Sequence, residues 1–520
     1  MNGRELLRSV LALVLLAGVL WGVAPSDVAT AAPGCGRFDH PESGIPGDVP
    51  LADQLSGRAD DGYNCGLSLI GYNSLGRRGG NANMAWAGEC AYVSGSGIAV
   101  VDVTDPTHPR HVTTLHGPGS SATVETLHAM VAPDRAILVA GRYGFYGQTG
   151  LGSPAPVDVY DVRDCRNPVL LSTFSLPWNV HNLTLSADAK TMWSTLPVQA
   201  ADLTDPRNPK PLPNLEDELK ANGVTKIMYS HEAWPTPDGK RLYIGGQMAG
   251  DEEMLLIDIE HWPERPAKVV GRFAGPGHSI RPATIGGKSY LLHSDESIIN
   301  PTAKGCVPEF FTPVGSASQP YLTDISDETK PTTRGKFRLP INEPSNCVEQ
   351  VLSQSNSSVH YHDVDDPDDT TFALASMWNA GLRIIDVRDP AQPREVAYFN
   401  PGRFQIESSS GGGGIGTALA VLSPNQLDQA WAHSRYVPET GHIWLTTRSG
   451  GFWVLELQPQ VRRALDLPER PAHFPDGTDP RPPETNKPIT ATDAALYCIV
   501  DGVGSVLAGA VTDPVRFLGV

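Results

Sequence analysis

The chain reads as an all-β protein, a seven-bladed β-propeller of four-stranded antiparallel blades with N- and C-terminal extensions. Three observations predict it. First, a phrase of the form apolar-Asp-apolar-x-Asp-Pro-x-x-Pro returns along the chain. It is complete at Val101-Asp102-Val103-Thr104-Asp105-Pro106 and at Ile385-Asp386-Val387-Arg388-Asp389-Pro390, and close to complete around Asp161 and Asp202. Looser copies sit at Asp258 and Asp324, and a degenerate one at Val454-Leu455-Glu456-Leu457. Second, successive copies stand 59, 41, 56, 66, 62 and 70 residues apart, the spacing of blades or solenoid units with variable loops. Third, each interval divides into short runs rich in Val, Ile, Leu and aromatic residues, separated by turn clusters and lacking a helical period.

One unit shows the plan. Within residues 232–273 a first strand ends at the turn Thr236-Pro237-Asp238-Gly239-Lys240. Strands follow at 241–245, 254–258 and 268–273. Four antiparallel strands make a propeller blade. The Asp-Pro phrase then falls between the third and fourth strands. There Asp accepts turn N–H groups, and Pro fixes φ and stops the ladder.

The flanks divide the rest of the chain. Arg4 and Arg8, the apolar run 10–23 and the small residues Ala29-Thr30-Ala31 predict a signal peptide over 1–31, cleaved near Ala31. A polar arm (32–60) precedes the propeller (61–458); a Pro-rich linker (459–490) and an apolar segment (491–520) follow it. The expected location is therefore secreted or cell-envelope, and not integral to a membrane. A net charge of −18 argues against nucleic acid and anionic lipid surfaces as partners. An exported chain can oxidise its cysteines. The blade layout suggests the pairs Cys306 with Cys347, Cys90 with Cys165, and Cys35 with Cys65, with Cys498 left over; spacing alone does not fix them.

The phrase Gly381-Leu382-Arg383-Ile384-Ile385-Asp386-Val387-Arg388-Asp389-Pro390, with Pro393 and Phe399 after it, resembles the LVIVD repeat of bacterial secreted β-propellers. The resemblance is closest at 382–399 and 98–115. It implies the propeller fold and little about activity.

A second repeated feature carries the functional expectation. A His opens the first strand of six units: His128, His181, His231, His278, His362 and His433. His128, His362 and His433 share the template His-x-x-x-x-Pro-acidic; the other three stand slightly farther from their turns, and Asn73 lies near the equivalent place in the first unit. The first strand of a blade lines the channel, so these imidazoles are expected at one height around one mouth. Imidazole suits a transition metal such as copper, zinc or iron, and several inward His with an open position would make a metal site. A His at a strand start can also serve a neighbouring carbonyl, or line a metal-free polar pocket. His360-Tyr361-His362 is either a metal pair on one face or a loop residue followed by a strand residue.

Loops on the same side carry Arg142, Tyr143, Gln247, Asp295, Glu296, Met377, Trp378 and Arg448. Arg142, Arg281, Trp378, Arg435 and Arg448 are the candidates for holding a small polar or anionic ligand. Arg142, Arg281, Arg435 and Arg448 would offset Glu125, Glu232 and Asp363, while side-chain alternation predicts that Glu232 and Asp363 point away. The expected function is an exported propeller whose His-lined mouth binds a small-molecule ligand and a metal. As an enzyme it would be a metal-dependent oxidoreductase or hydrolase. The His ring is similar, as a distant analogy, to the selenium-binding protein (methanethiol oxidase) propellers. The alternative is an envelope scaffold that binds a protein partner without catalysis.

Overall fold

The computed structural model describes residues 34–481, except 79, 122–124, 143–153, 222, 225–229, 247–252, 295–318, 354–356 and 404–426. The described residues form seven antiparallel sheets, one per blade. Blade 1 is Met84–Ala87, Cys90–Val93, Ile98–Asp102 and Arg110–Leu115; blade 2 is Leu127–Ala132, Arg135–Gly141, Ala155–Asp161 and Val169–Leu176. Blade 3 is Leu183–Leu185, Thr191–Ser194, Gln199–Asp202 and Lys210–Pro211; blade 4 is Ser230–Pro235, Arg241–Gly246, Glu253–Asp258 and Lys268–Ala274. Blade 5 is Ser279–Ile285, Lys288–Ser294, Tyr321–Asp324 and Thr332–Lys336; blade 6 is Tyr361–Val364, Phe372–Ser376, Leu382–Asp386 and Arg394–Asn400. Blade 7 takes Arg435–Val437, His442–Thr447 and Gly451–Leu457 from the end of the repeats.

The ring closes with the N-terminal strand Leu67–Asn73, which supplies the outer strand of blade 7 by pairing with Gly451–Leu457. Asn73 therefore lies on the outer edge and not at the start of the first inner strand; its amide donates to Pro109 O at 2.8 Å. A further strand, Tyr63–Cys65, widens blade 6 to five strands.

Apolar clusters fill the gaps between blades. One joins blades 6 and 7 around Leu382, Ile443 and Trp453, another joins 7 and 1 around Trp444 and Val101, and others lie between the following pairs. Both faces of a blade are thus covered, which explains near-continuous apolar runs such as residues 98–101. Burying one such side chain contributes roughly 1.5–3 kcal/mol.

The recurrent phrase works as a double Asx turn. Asp386 Oδ1 accepts from Arg388 N and Asp389 Oδ1 from Ala391 N, each at 3.1 Å. Asp102 and Asp105 do the same for Thr104 and Thr107. The turn also clasps the preceding blade. Between third and fourth strands the register slips by one residue in six blades, and the residue that follows the slip is small: Gly71, Thr113, Ser172, Gly271, Gly335 and Ala397. A Cβ on Gly335 would sit 2.4 Å from Pro390 O of the next blade, and one on Gly71 would sit 1.9 Å from Pro106 O. Ser172 instead donates its hydroxyl to Pro206 O at 2.7 Å.

The N-terminal arm packs on blade 6, where Glu42 and Glu395 share the fully buried Arg383. Among the described residues two disulfides form, Cys35–Cys65 and Cys90–Cys165. Cys306, Cys498 and the Cys347 side chain lie outside the described residues, as do the expected signal peptide and the apolar C-terminal segment. The stretch after the propeller opens with a helix, Pro459–Ala464, whose Val461 and Arg462 are buried. Among the described residues no helix is long and apolar enough to cross a membrane.

Candidate metal centre on the propeller axis

Six blades send a side chain from the start of their inner strand to one point on the axis. Blade 2 supplies Glu125, blade 3 His181, blade 4 His231, blade 5 His278, blade 6 His360 and blade 7 Trp431. Glu125 stands at the centre. Its Oε2 lies 3.0 Å from His231 Nε2 and 3.2 Å from His181 Nε2; its Oε1 lies 3.5 Å from His360 Nε2 and accepts from Trp431 Nε1 at 3.3 Å. The ligand atoms of Glu125, His278 and His360 all fall within 4.8 Å of one another, as do those of Glu125, His181 and His231.

The backbone of each next blade orients these rings. His231 Nδ1 donates to His278 O at 2.9 Å, His278 Nδ1 to His360 O at 3.0 Å, and His360 Nδ1 to Trp431 O at 2.6 Å. A carbonyl only accepts, so each Nδ1 carries a proton, and in a neutral ring Nε2 is then the bare nitrogen. Metal-binding His is typically held this way, with the far N–H on a carbonyl or carboxylate. Four of the rings pack in sequence: His181 and His231 edge-on at 4.3 Å, His231 and His278 stacked at 3.5 Å, His278 and His360 tilted at 4.8 Å.

His231 faces more acceptors than a neutral ring can serve. Burial, with His278 and His181 alongside, pushes this imidazole down to about 3 against the pull of Glu125. A neutral ring has one N–H, yet His231 faces two acceptors, His278 O and the Glu125 carboxylate. Burial alone would raise Glu125, but hydrogen bonding with His181, His231 and His360 holds it well below the usual carboxylate range. A lone pair on Nε2 set against an ionised carboxylate is repulsive unless a positive charge, a second ring proton or a metal ion, lies between them. The donor set, imidazoles plus one carboxylate, fits zinc, copper or iron.

Tyr361 separates this tier from a second one. Its ring is fully buried, and its hydroxyl accepts from Asn182 Nδ2 at 3.1 Å, from blade 6 across to blade 3. The ring approaches His278, at 5.5 Å between centroids, and lies tilted against His433 at 3.9 Å. In the second tier Arg281 donates Nε to Asp363 Oδ1 at 2.8 Å and stands 3.6 Å from Glu232 Oε1. Arg281 also donates to His433 Nδ1 at 2.7 Å, and His433 Nε2 reaches Glu232 at 3.2 Å. Burial would raise Glu232 and Asp363; Arg281 and His433 outweigh it, bringing Glu232 down to about 2 and Asp363 lower. His362 meets Ser279 Oγ at 3.2 Å, and His128 lies edge-on to Trp234 at 5.5 Å.

The six expected histidines therefore do not share one height. His181, His231 and His278 stand at the Glu125 tier; His128, His362 and His433 stand in the Arg281 tier. The cause is register: one residue along a strand shifts a side chain by about 3.3 Å and changes its face. Glu232 and Asp363 do not point away. A register slip at His231 lets both His231 and Glu232 turn inward. Asp363 follows from blade geometry, since sheet faces meet the neighbouring blades and it reaches Arg281 on one side and His433 on the other.

Of the ligand candidates, Arg281 belongs to the second tier. Trp378 and Arg448 lie by the Glu125 tier: Trp378 is edge-on to His360 at 5.5 Å, and Arg448 rests over the Trp431 ring at 4.7 Å. Burial pulls Arg448 down to about 9. Trp378 holds φ at 40°, an uncommon conformation for a bulky residue. Arg435 is elsewhere, donating to Gly88 O at the far hairpin of blade 1 at 2.7 Å and resting over Trp444 at 4.4 Å. Arg142 is half-buried at the end of Arg135–Gly141, its N–H on Pro156 O. Met377 packs in the core between blades 5 and 6. Tyr143, Gln247, Asp295 and Glu296 lie outside the described residues.

The central residues that the sequence does not mark are Glu125 and Trp431, and it leaves His360 open between strand and loop. A signal existed for His360, and for the split into tiers. His128, His362 and His433 stand six residues before the acidic turn residue, His181 and His231 stand seven, and His360 stands eight. Nothing in the spacing marks Glu125, because that unit replaces His by Glu.

Among known proteins, a family model described as the LVIVD repeat matches residues 79–115 and 372–400, in blades 1 and 6. No curated protein compared with the chain matches it. Similar solved structures include the β-propeller domain of Cps50 (Swd1) from Myceliophteria thermophila, with 12% identity over 73% of this chain and 97% of that one, TM-score 0.46. Hydrazine synthase of Kuenenia stuttgartiensis is 15% identical over 74% of this chain and 96% of that one, TM-score 0.44. At such scores neither likeness bears on function. The chain is a seven-bladed β-propeller that carries LVIVD repeats.

Proposed function

We propose that the protein binds one transition metal ion on the propeller axis, through the Nε2 atoms of His231, His278 and His360 with Glu125 and His181 completing the shell. The observation that carries this reading is the relay of Nδ1–H bonds to the next blade's carbonyl, which turns three Nε2 atoms toward one buried carboxylate. Such an ion supplies Lewis acidity or one-electron chemistry when bound. The chain supplies the rest. Trp378, Trp431 and Arg448 give the site an aromatic and cationic wall suited to a small polar or anionic ligand, and Tyr361 closes it below. An exported metal-dependent oxidoreductase or hydrolase is the function that fits, with export through residues 1–31 and two disulfides in keeping with an oxidising compartment.

The test is elemental analysis of the purified full chain beside His360→Ala and Glu125→Gln. Both variants should carry about one metal ion fewer per chain than wild type. Equal metal content in all three would sink the reading.

A further inference from the structure

A second cluster lies far from the axis, at the ring closure. His442 opens the second strand of blade 7 and stands opposite Glu456 in register. Both are 7% exposed. His473 arrives from the segment that follows the helix Pro459–Ala464. Its backbone N–H donates to Glu456 Oε1 at 2.9 Å, and its Nδ1 lies 2.8 Å from Glu456 Oε2. The His442 and His473 rings meet edge-on at 5.2 Å. One ligand atom from each of the three falls within 4.8 Å of the others.

We propose that His442, Glu456 and His473 form a second metal site, for a zinc-type divalent ion, that clasps the C-terminal segment to the blade where the ring closes. Two imidazoles and one carboxylate are zinc's ordinary ligand types, and three protein ligands leave one tetrahedral position. The His473 side chain is 35% exposed, so an ion can reach it from solvent. A plain His473–Glu456 ion pair would not require a second imidazole edge-on beside it. Of the nearby guanidinium groups, Arg462 donates to Pro468 O at 2.7 Å and Arg470 to Pro438 O at 3.0 Å, while the Arg470 charge also bears on His442. The fastened segment matters to the ring. Phe474 packs against the cluster between blades 7 and 1, and Arg481 donates to Asp61 O at 3.2 Å, just ahead of the closing strand Leu67–Asn73. An ion here ties two strands of blade 7 to the chain that crosses the seam.

The experiment strips the full chain with a chelator, dialyses it against Zn²⁺ and counts zinc per chain. His473→Ala, at an exposed position, should bind one zinc ion fewer than wild type. Its affinity at this site should fall by at least about 100-fold, above the range for losing an outer-shell partner. If the axis takes no zinc, the wild-type count is lower but the difference persists, so the two readings fail separately. Limited proteolysis gives a second readout. Chelation should speed cleavage within 465–481 in wild type and leave His473→Ala, already fast, unchanged. Equal zinc counts in wild type and His473→Ala, or wild-type cleavage indifferent to chelator, would overturn the proposal.

Discussion

Arg281 shows how much rests on single residues at the axis. It is one guanidinium between two buried carboxylates, and it lies 3.7 Å over the Trp234 ring. Removing one partner from such a group strands the others, at about 3–5 kcal/mol. Arg281→Met should lower unfolding stability by that amount in a urea titration. Tyr361→Phe is the milder contrast: it keeps the ring and removes the acceptor for Asn182, a loss of about 1 kcal/mol, and metal content should stay at the wild-type level. The residue scale is also where the sequence was least legible. His-turn spacing of six against seven or eight encodes the tier, but only a known strand register converts that difference into height. Glu232 defeated simple alternation because its strand slips at His231. Glu125 carries no repeat signature at all, since its chemistry comes from where the blade starts.

Blade-scale features were far more legible, because they are enforced seven times over. The Asp-Pro phrase marks the third-to-fourth-strand turn wherever it is complete, and its Asp side chains bond the backbone two residues on, as expected from turn chemistry alone. The small residue beneath the next blade's turn went unrecognised, because Gly, Ser, Thr and Ala share size and not a letter. Gly335→Val should therefore drive side-chain atoms into Pro390 O and Ala391 of blade 6, costing about 1–3 kcal/mol by overpacking, measurable as a lower urea midpoint with an unchanged slope. An unchanged midpoint would mean that neighbouring blades do not clasp at this point.

At the scale of the whole molecule, closure and acidity decide stability. The strand Leu67–Asn73 joins the last strands of the repeats in blade 7, and the Cys35–Cys65 bridge pins the arm beside it. A loop of 30 residues corresponds to about 3–4 kcal/mol in the chain-entropy account, so reduction should lower the melting temperature measurably. Two sets of carboxylates act in opposite senses with pH. Arg166, Thr104 and Arg110 outweigh burial at Asp102, and Arg388 and Arg394 do so at Asp386, so both are held below their ordinary values. Their stabilisation is present above about pH 4 and is lost as pH falls through the folded values. Burial raises Glu395 to about 6, beside Arg383 and the competing Glu42. That group favours the folded state below about pH 4.5 and loses its contribution as pH rises toward 6. Glu395→Gln should thus gain stability relative to wild type as pH increases across that window; a difference constant with pH would contradict this assignment.

The central claim is a histidine-built metal centre where six blades meet. X-ray absorption at the metal edge of the metal-loaded full chain, with His473→Ala to remove the peripheral site, tests it most directly. The predicted spectrum shows nitrogen and oxygen neighbours, at about 2.0–2.1 Å if the ion is zinc, with the outer-shell scattering of several imidazoles. A sulfur shell, or a spectrum unchanged by His278→Ala, would contradict it.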